Sequence, residues 1–478
     1  MKEGYIKKED RKKILLLTDD IRVHSGVANV GREIVTHTSH RYNWVQMAGA
    51  IKHPEKGKPV DLSGAINKDA EIEDSSVVLY PVDAYGDPKT LREVIKREKP
   101  DALFLITDPR YFEWLFQMEN EIRSSIPIAY LNIWDDLPAP MYNREFYDSC
   151  DALFGISKQT VNINKLVLGK EKSKNKVIKY IPHGLNDSTF KPLPDNDSEL
   201  KDTRDRINNG VETDFTLLFN SRNIRRKSIP DTILAWKFFM ETLTEDERKK
   251  CNFILHTDPI SEAGTDLLAV INFLFPEKGA GNLIISQQKL TRDQLNQFYN
   301  IADGVILLSS AEGWGLSLTE ALLTGTPIIA NVTGGMQDQM RFEDKKGNWI
   351  DFDENIPSNH RGTYKKCGKW ALPVYPTSLS LVGSPKTPYI WDDRCTPEDA
   401  AKQIRALYDM SKKDRKKIGK AGYDWVISKE AGFTAKVMGK RVIDGMDELF
   451  SSWEPRKSYT FTKDTEADKK VLNHKLIY

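Results

Sequence analysis

At 478 residues the chain is too long for one ordinary hydrophobic core, so two or three domains are expected. A hydrophobic content of 39% with 29% charged residues fits a soluble globular protein, and 70 Lys plus Arg against 69 Asp plus Glu leave no bulk charge that would call for a polyanionic partner. Cys150, Cys251, Cys367 and Cys395 are scattered without a C-x-x-C pair, which argues against a zinc site or a disulfide framework. Residues 1–13 are highly charged with no apolar signal core, and no run approaches the ~20 apolar residues of a membrane helix, so the expected location is cytoplasmic.

In chain order, apolar runs at 14–17, 44–47, 77–80, 102–106, 128–132, 152–156 and 177–181 read as strands, with helical periodicity between several of them, as at 89–98 and 157–168. Strands that alternate with helices imply a parallel sheet with right-handed crossovers. The pattern breaks at 182–213, where Pro182, Pro192 and Pro194 precede a polar run, and this stretch reads as a connection between domains. Alternation restarts with strand 215–220, helix 230–243, strand 252–256, helix 261–275, strand 282–286, helix 292–301 and a strand at Val305. A second irregular zone, 342–394, holds five prolines with Trp370, Tyr375, Tyr389 and Trp391. It reads as an insertion that bears on an acceptor or on cleft closure. Helical patterns return at 397–410 and 414–428, and a lysine-rich tail follows at 457–478.

Three loops carry chemistry. After the strand at Val305 comes Ser310-Ala311-Glu312-Gly313-Trp314-Gly315-Leu316-Ser317-Leu318-Thr319-Glu320, a glycine-containing loop that opens a helix and is flanked by two carboxylates. Ser317 is placed to cap that helix, and Gly325 to end it. The loop turns backbone N–H groups and a positive helix end toward an anion, while ionised carboxylates accept from sugar or ribose hydroxyls. Ser317-x-x-Glu320 is equally a capping box, in which Glu320 only bonds back to the helix start. After the first strand, Gly26 opens a helix where backbone can approach a ligand. After strand 215–220, Arg222, Arg225, Arg226 and Lys227 put four cations in six residues at a strand's carboxyl end, suited to phosphate.

Taken in order, these pieces resemble the family 4 (group 1) retaining glycosyltransferases with the GT-B fold. The matching set is the Gly26 loop, Ile181-Pro182-His183-Gly184-Leu185-Asn186 leading to Phe190 and Pro192, Arg222 with Lys227, Glu312 with Glu320, Gly325-Thr326-Pro327, and Gly334-Gly335. The resemblance implies an α/β architecture of two Rossmann-like domains with parallel sheets facing across a cleft. It divides the chain into residues 1–185, an acceptor-side domain; 186–213, a connection; 214–430, the nucleotide-sugar domain with 342–394 inserted; and 431–478, a helix and tail packing back on the first domain. It implies that Arg222 and Lys227 hold the donor diphosphate and that Glu312 faces the transferred sugar beside Gly313, Trp314 and Gly315. Leu316 and Ser317 then give N–H groups to phosphate and Glu320 binds ribose. His183 and Gly184 mark a hinge.

The chain departs from the family where many members carry a cleft histidine: here the region reads Asn132-Ile133-Trp134-Asp135-Asp136. Asp108, Trp134 and Asp135 are the candidate cleft residues, Trp134 either stacking on sugar or packing. The implied reaction is transfer of a hexosyl or pentosyl group from a nucleotide-diphosphate sugar with retention, needing no metal and no cofactor, since cations stabilise the leaving charge. Two rivals remain at this level, a nucleotide-sugar epimerase on the same fold and a non-catalytic nucleotide-sugar-binding subunit. The acceptor is open among glycan, lipid-linked sugar, metabolite, protein and modified DNA base. Six lysines between Lys165 and Lys179 raise DNA or an anionic surface as a less favoured partner.

Overall fold

The computed structural model describes residues 4–53, 55–208, 211–276, 281–356 and 359–456. The lysine-rich tail at 457–478 lies outside them.

Two sheets form the frame. The first has strands β1 (Lys12–Asp19), β2 (Tyr42–Gly49), β3 (Val60–Asp61), β4 (Val77–Pro81), β5 (Ala102–Ile106), β6 (Ile128–Asn132), β7 (Ala152–Gly155) and β8 (Val177–Tyr180) in the order β3-β4-β2-β1-β5-β6-β7-β8. All its pairings are parallel except β3 with β4. The second has β9 (Phe215–Asn220), β10 (Cys251–His256), β11 (Asn282–Ser286), β12 (Gly304–Leu307), β13 (Ile328–Asn331) and β14 (Ala371–Val374), all parallel, in the order β11-β10-β9-β12-β13-β14. The central strands are fully buried apolar runs, as sheets covered by helices on both faces require. Each sheet grows in one direction and then the other, switching between β1 and β5 in the first and between β9 and β12 in the second. Ligands in such sheets sit outside the carboxyl ends at the switch point.

The polypeptide crosses between sheets twice, at one place. Leu185 N–H donates to Phe433 O and Ala435 N–H to Leu185 O, so the outgoing and returning chains pair. At Gly184 a Cβ would lie 2.2 Å from Thr434 O, so only glycine allows that approach. Helix Ala435–Ser452 then packs on the first sheet's side: Tyr42 Oη donates to Asp447 at 2.7 Å, and Gly445 lies against the Phe154 ring.

Three segments differ from the sequence reading. Within the connection, Ser198–Asn208 is a helix that packs on the second domain, where Thr203 Oγ1 donates to Gln297. The zone 342–394 is not purely an insertion, because β14 inside it completes the second sheet. It also contains an antiparallel hairpin, β15 (Ser378–Ser384) with β16 (Thr387–Arg394), which reaches the first domain: Trp391 N–H donates to Leu137 O, and Tyr142 Oη to Tyr389 O, both at 2.8 Å. Finally, helix Leu316–Leu323 starts ahead of Ser317. Its N-cap is Gly315 at φ +86°, and no capping box forms.

Candidate active site

The loops after β1, β9 and β12, the strands beside the two switch points, converge on a cavity of about 610 Å³ between the domains. Gly26 and Asp135 line it from the first domain, and His183 from the crossing between the two sheets. Arg222, Arg226, Lys227, Glu312–Ser317 and Glu320 line it from the second. The two sides nearly touch: a Cβ on Gly26 would come within 3.3 Å of Leu316 Cδ1.

Its centre is a charge cluster. A 3-10 turn, Arg225–Lys227, follows β9 and carries Arg226 and Lys227 toward Glu312. Lys227 Nζ donates to Glu312 Oε2, and Arg226 Nη1 donates to the same oxygen at 2.9 Å and to Ala311 O at 2.8 Å. Burial alone would raise the Glu312 carboxyl, but the two cations hold it well below the ordinary carboxylate range. Burial pulls the Lys227 ammonium down against the pull of Glu312. From the first domain, Asp135 Oδ1 accepts from Gly313 N–H at 3.0 Å, while Oδ2 lies 3.5 Å from Arg226 Nε. Asp135 is pushed up by its burial between the domains, an effect that Arg226 opposes and Glu312 adds to.

Glu320 shows no cap role. Its Oε2 accepts from Tyr299 Oη and from Asn220 Nδ2, while burial raises its carboxyl. Leu316 and Ser317 lie in the first turn of the helix, where N–H groups have no intrahelical acceptor. The loop geometry depends on glycine: at Gly334 a Cβ would meet Glu312 O at 2.0 Å, and at Gly313 it would meet Ile133 O at 2.7 Å.

Most of the expected residues meet here, and two do not. Asp108 caps the turn Pro109–Phe112 and pairs with Arg110, away from the cavity wall. Trp134 is 7% exposed, and its indole donates to Asp136 O at 2.7 Å inside the first domain's core, so it packs and offers no platform to a sugar. Arg222 is exposed on the cavity wall. Trp314 turns its ring inward, donating to Thr319 Oγ1, and contributes backbone to the loop. The lysines of 165–179 are largely neutralised: Lys170 pairs with Glu354, Lys172 with Asp148, Lys174 with Glu171, and Lys179 with Glu448.

Sequence reasoning counted Arg226 in the phosphate-suited charge run but passed over its reach to Glu312, and it read His183 as a hinge only. His183 also faces the cavity; burial lowers its imidazole to about 4, and its Nδ1 is buried without a partner. It likewise passed over the wall formed by His256–Asp258 and Ser286–Leu290. The available signal was topological, since both loops leave strands of the second sheet at the same carboxyl edge.

Comparison with known proteins agrees with this geometry. Residues 201–358 match the family described as "Glycosyl transferases group 1". The search of curated proteins gives no match. Among solved structures, a sucrose-phosphate synthase from Thermosynechococcus elongatus superposes with a TM-score of 0.64 at 15% identity, covering 92% of this chain and 100% of that one. Anabaena HepE in complex with UDP and glucose gives 0.62 at 13%, with 92% and 100% covered. A glycosyltransferase from Rickettsia africae gives 0.60 at 14%, with 92% and 99% covered. Identities this low speak for the fold, two Rossmann-like domains across a cleft, while the matched segment holds Arg222, Lys227, Glu312 and Glu320. The chain therefore carries a group 1 glycosyltransferase domain at residues 201–358, on a GT-B fold.

Proposed function

We propose that the protein transfers a sugar from a nucleoside-diphosphate sugar to an acceptor hydroxyl with retention at the anomeric carbon. The observation that carries this reading is the buried Lys227–Glu312–Arg226 cluster beside the first turn of helix Leu316–Leu323, at the second sheet's switch point. In this reading the diphosphate lies against Arg222, Lys227 and the N–H groups of Leu316 and Ser317. These donors stabilise the charge that develops as the sugar leaves. Glu312, fixed by two cations, faces the sugar with the backbone of Gly313, Trp314 and Gly315. Glu320, with Tyr299 and Asn220 both bonded to Oε2, offers Oε1 to the ribose hydroxyls.

On the first domain's side, Asp135 and Gly26 bound the space an acceptor would enter. The leaving diphosphate takes the acceptor's proton on the same face, so the protein's task is to hold both partners in line. The neighbour HepE holds UDP and glucose, which makes a uridine nucleotide the first donor to test. The test is incubation with UDP-, GDP-, ADP- and dTDP-sugars and a panel of acceptors: oligosaccharides, a lipid-linked sugar, and DNA with hydroxymethylated bases. Product mass is followed, and the anomer is read by NMR. A glycosylated product with the donor's anomeric configuration is expected. An inverted product would refute retention, and an isomerised donor without transfer would favour an epimerase.

A further inference from the structure

The matched pattern accounts for two diphosphate-facing cations, and the structure supplies a third. Arg226 is tied to the Glu312 loop through its backbone, since its carbonyl accepts from Ser310 N–H at 2.8 Å. Its guanidinium bridges Ala311 O, Glu312 and Asp135, and remains 32% exposed, on the wall of the cavity that Arg222 and Lys227 also line. The inner charges cancel: Arg226 and Lys227 face Glu312 and Asp135. A diphosphate entering this site finds both inner cations already neutralised, so some carboxylate contact must yield if the anion is to be held.

The contacts differ in strength. Glu312 is 7% exposed and hydrogen-bonded by both cations, so giving it up would strand a buried carboxylate. Asp135 is 30% exposed, sits 3.5 Å from Arg226 without a hydrogen bond, and keeps its bond from Gly313 N–H if that contact breaks. Asp135 is therefore the partner that yields, and it belongs to the opposite domain.

We propose that Arg226 is a third diphosphate-holding residue and that Asp135 competes with the donor for it across the cleft. Donor binding thereby exchanges an interdomain ion pair for a phosphate contact. The inference rests on the proposed nucleoside-diphosphate site. Its consequence runs against intuition: removing an acidic first-domain group strengthens binding of a ligand held by the second domain.

The test is calorimetric titration of the full chain with UDP, GDP, ADP and dTDP, continued with whichever wild type binds. Arg226→Met should weaken binding about tenfold, with Arg226→Lys recovering most of it because a cation remains. Asp135→Asn should tighten binding about fivefold to tenfold, and the gain should vanish in the Asp135→Asn/Arg226→Met double variant. Circular dichroism checks folding, and Asp135→Ser replaces Asp135→Asn if the amide variant does not fold. Wild-type affinity in Arg226→Met would overturn the proposal. So would an Asp135→Asn gain that persists in the Arg226→Met background, since Asp135 would then act on the anion directly. If wild type binds none of the four nucleotides, the donor-site reading fails and this one with it.

Discussion

Lys227 and Arg222 lie five positions apart in sequence but in different surroundings, and their substitutions should separate accordingly. Lys227 is 8% exposed and bonded to Glu312, so Lys227→Ala leaves that carboxylate with Arg226 alone. Losing one stabiliser of leaving charge costs on the order of 10²–10³ in turnover, and breaking a buried pair adds a stability loss of roughly 3–5 kcal/mol. Arg222 lies exposed on the cavity wall, so Arg222→Ala should lose activity by a similar factor with its melting temperature unchanged. Turnover with the donor and differential scanning calorimetry on both variants decide it; wild-type turnover in either removes that residue from the site. Glu320→Gln should weaken nucleoside diphosphate binding about tenfold as read by calorimetric titration. A lowered melting point with unchanged affinity would reduce Glu320 to a structural partner of Tyr299. The charge run 222–227 was legible in sequence as a phosphate site. That Arg226 reaches Glu312 was not, because only the 3-10 turn brings adjacent side chains to one carboxylate.

Strand–helix alternation made the parallel strands visible where their runs are apolar, and the misses have physical causes. β14 is the four-residue run Ala-Leu-Pro-Val, and its proline is tolerated because β14 is an edge strand paired only with β13. Helix Ser198–Asn208 is polar on most positions and buries only Leu200, Thr203 and Asn208, so it carries little periodic signal. β15 is exposed along its whole length, and serine and glycine mask its pattern. The aromatic content of 342–394 suggested exposed stacking surfaces, but Trp370 is 6% exposed, stacks on Trp425 at 4.8 Å, and donates its indole N–H to Gln339 O. Trp370→Ala should therefore cost about 3–5 kcal/mol in chemical denaturation, with nucleotide affinity unchanged in the folded protein. A folded variant of undiminished stability and altered acceptor kinetics would put the ring's role in the cleft instead.

At the scale of the whole molecule, the domains are joined by buried acids that no sequence pattern announced, because each one's environment is built from both halves of the chain. Asp136 of the first domain accepts from Gln159, Asn359 and Leu137 N–H, and Thr333 Oγ1 lies 3.1 Å from Asp136 Oδ2 and 3.0 Å from Asp393 Oδ2. Asn359 Nδ2 also donates to Asp393 Oδ2, and Arg361 Nη2 donates to Asp393 Oδ1 at 3.0 Å, so the two carboxylates draw on a shared set of donors. Burial pushes both carboxyls up, each against hydrogen bonds that favour ionisation. Asp338 of the second domain accepts from Lys158 N–H and Tyr180 Oη of the first, both at 2.9 Å, and burial raises it from 3.8 to about 6. A carboxyl raised in the folded state binds more protons folded than unfolded. Its contribution is therefore fully present below the unfolded value and is lost as pH rises through the folded one. For Asp338 that window runs from near 4 to about 6, and at about 1.4 kcal/mol per unit the span is worth up to ~3 kcal/mol. Asp338→Asn keeps an acceptor oxygen for Lys158 and Tyr180 but cannot ionise, so it should flatten the decline in stability between pH 4 and 6. Urea midpoints at pH 4, 5, 6 and 7 for both proteins measure this, and an Asn variant with the wild-type slope would show that Asp338 is ionised at the interface throughout.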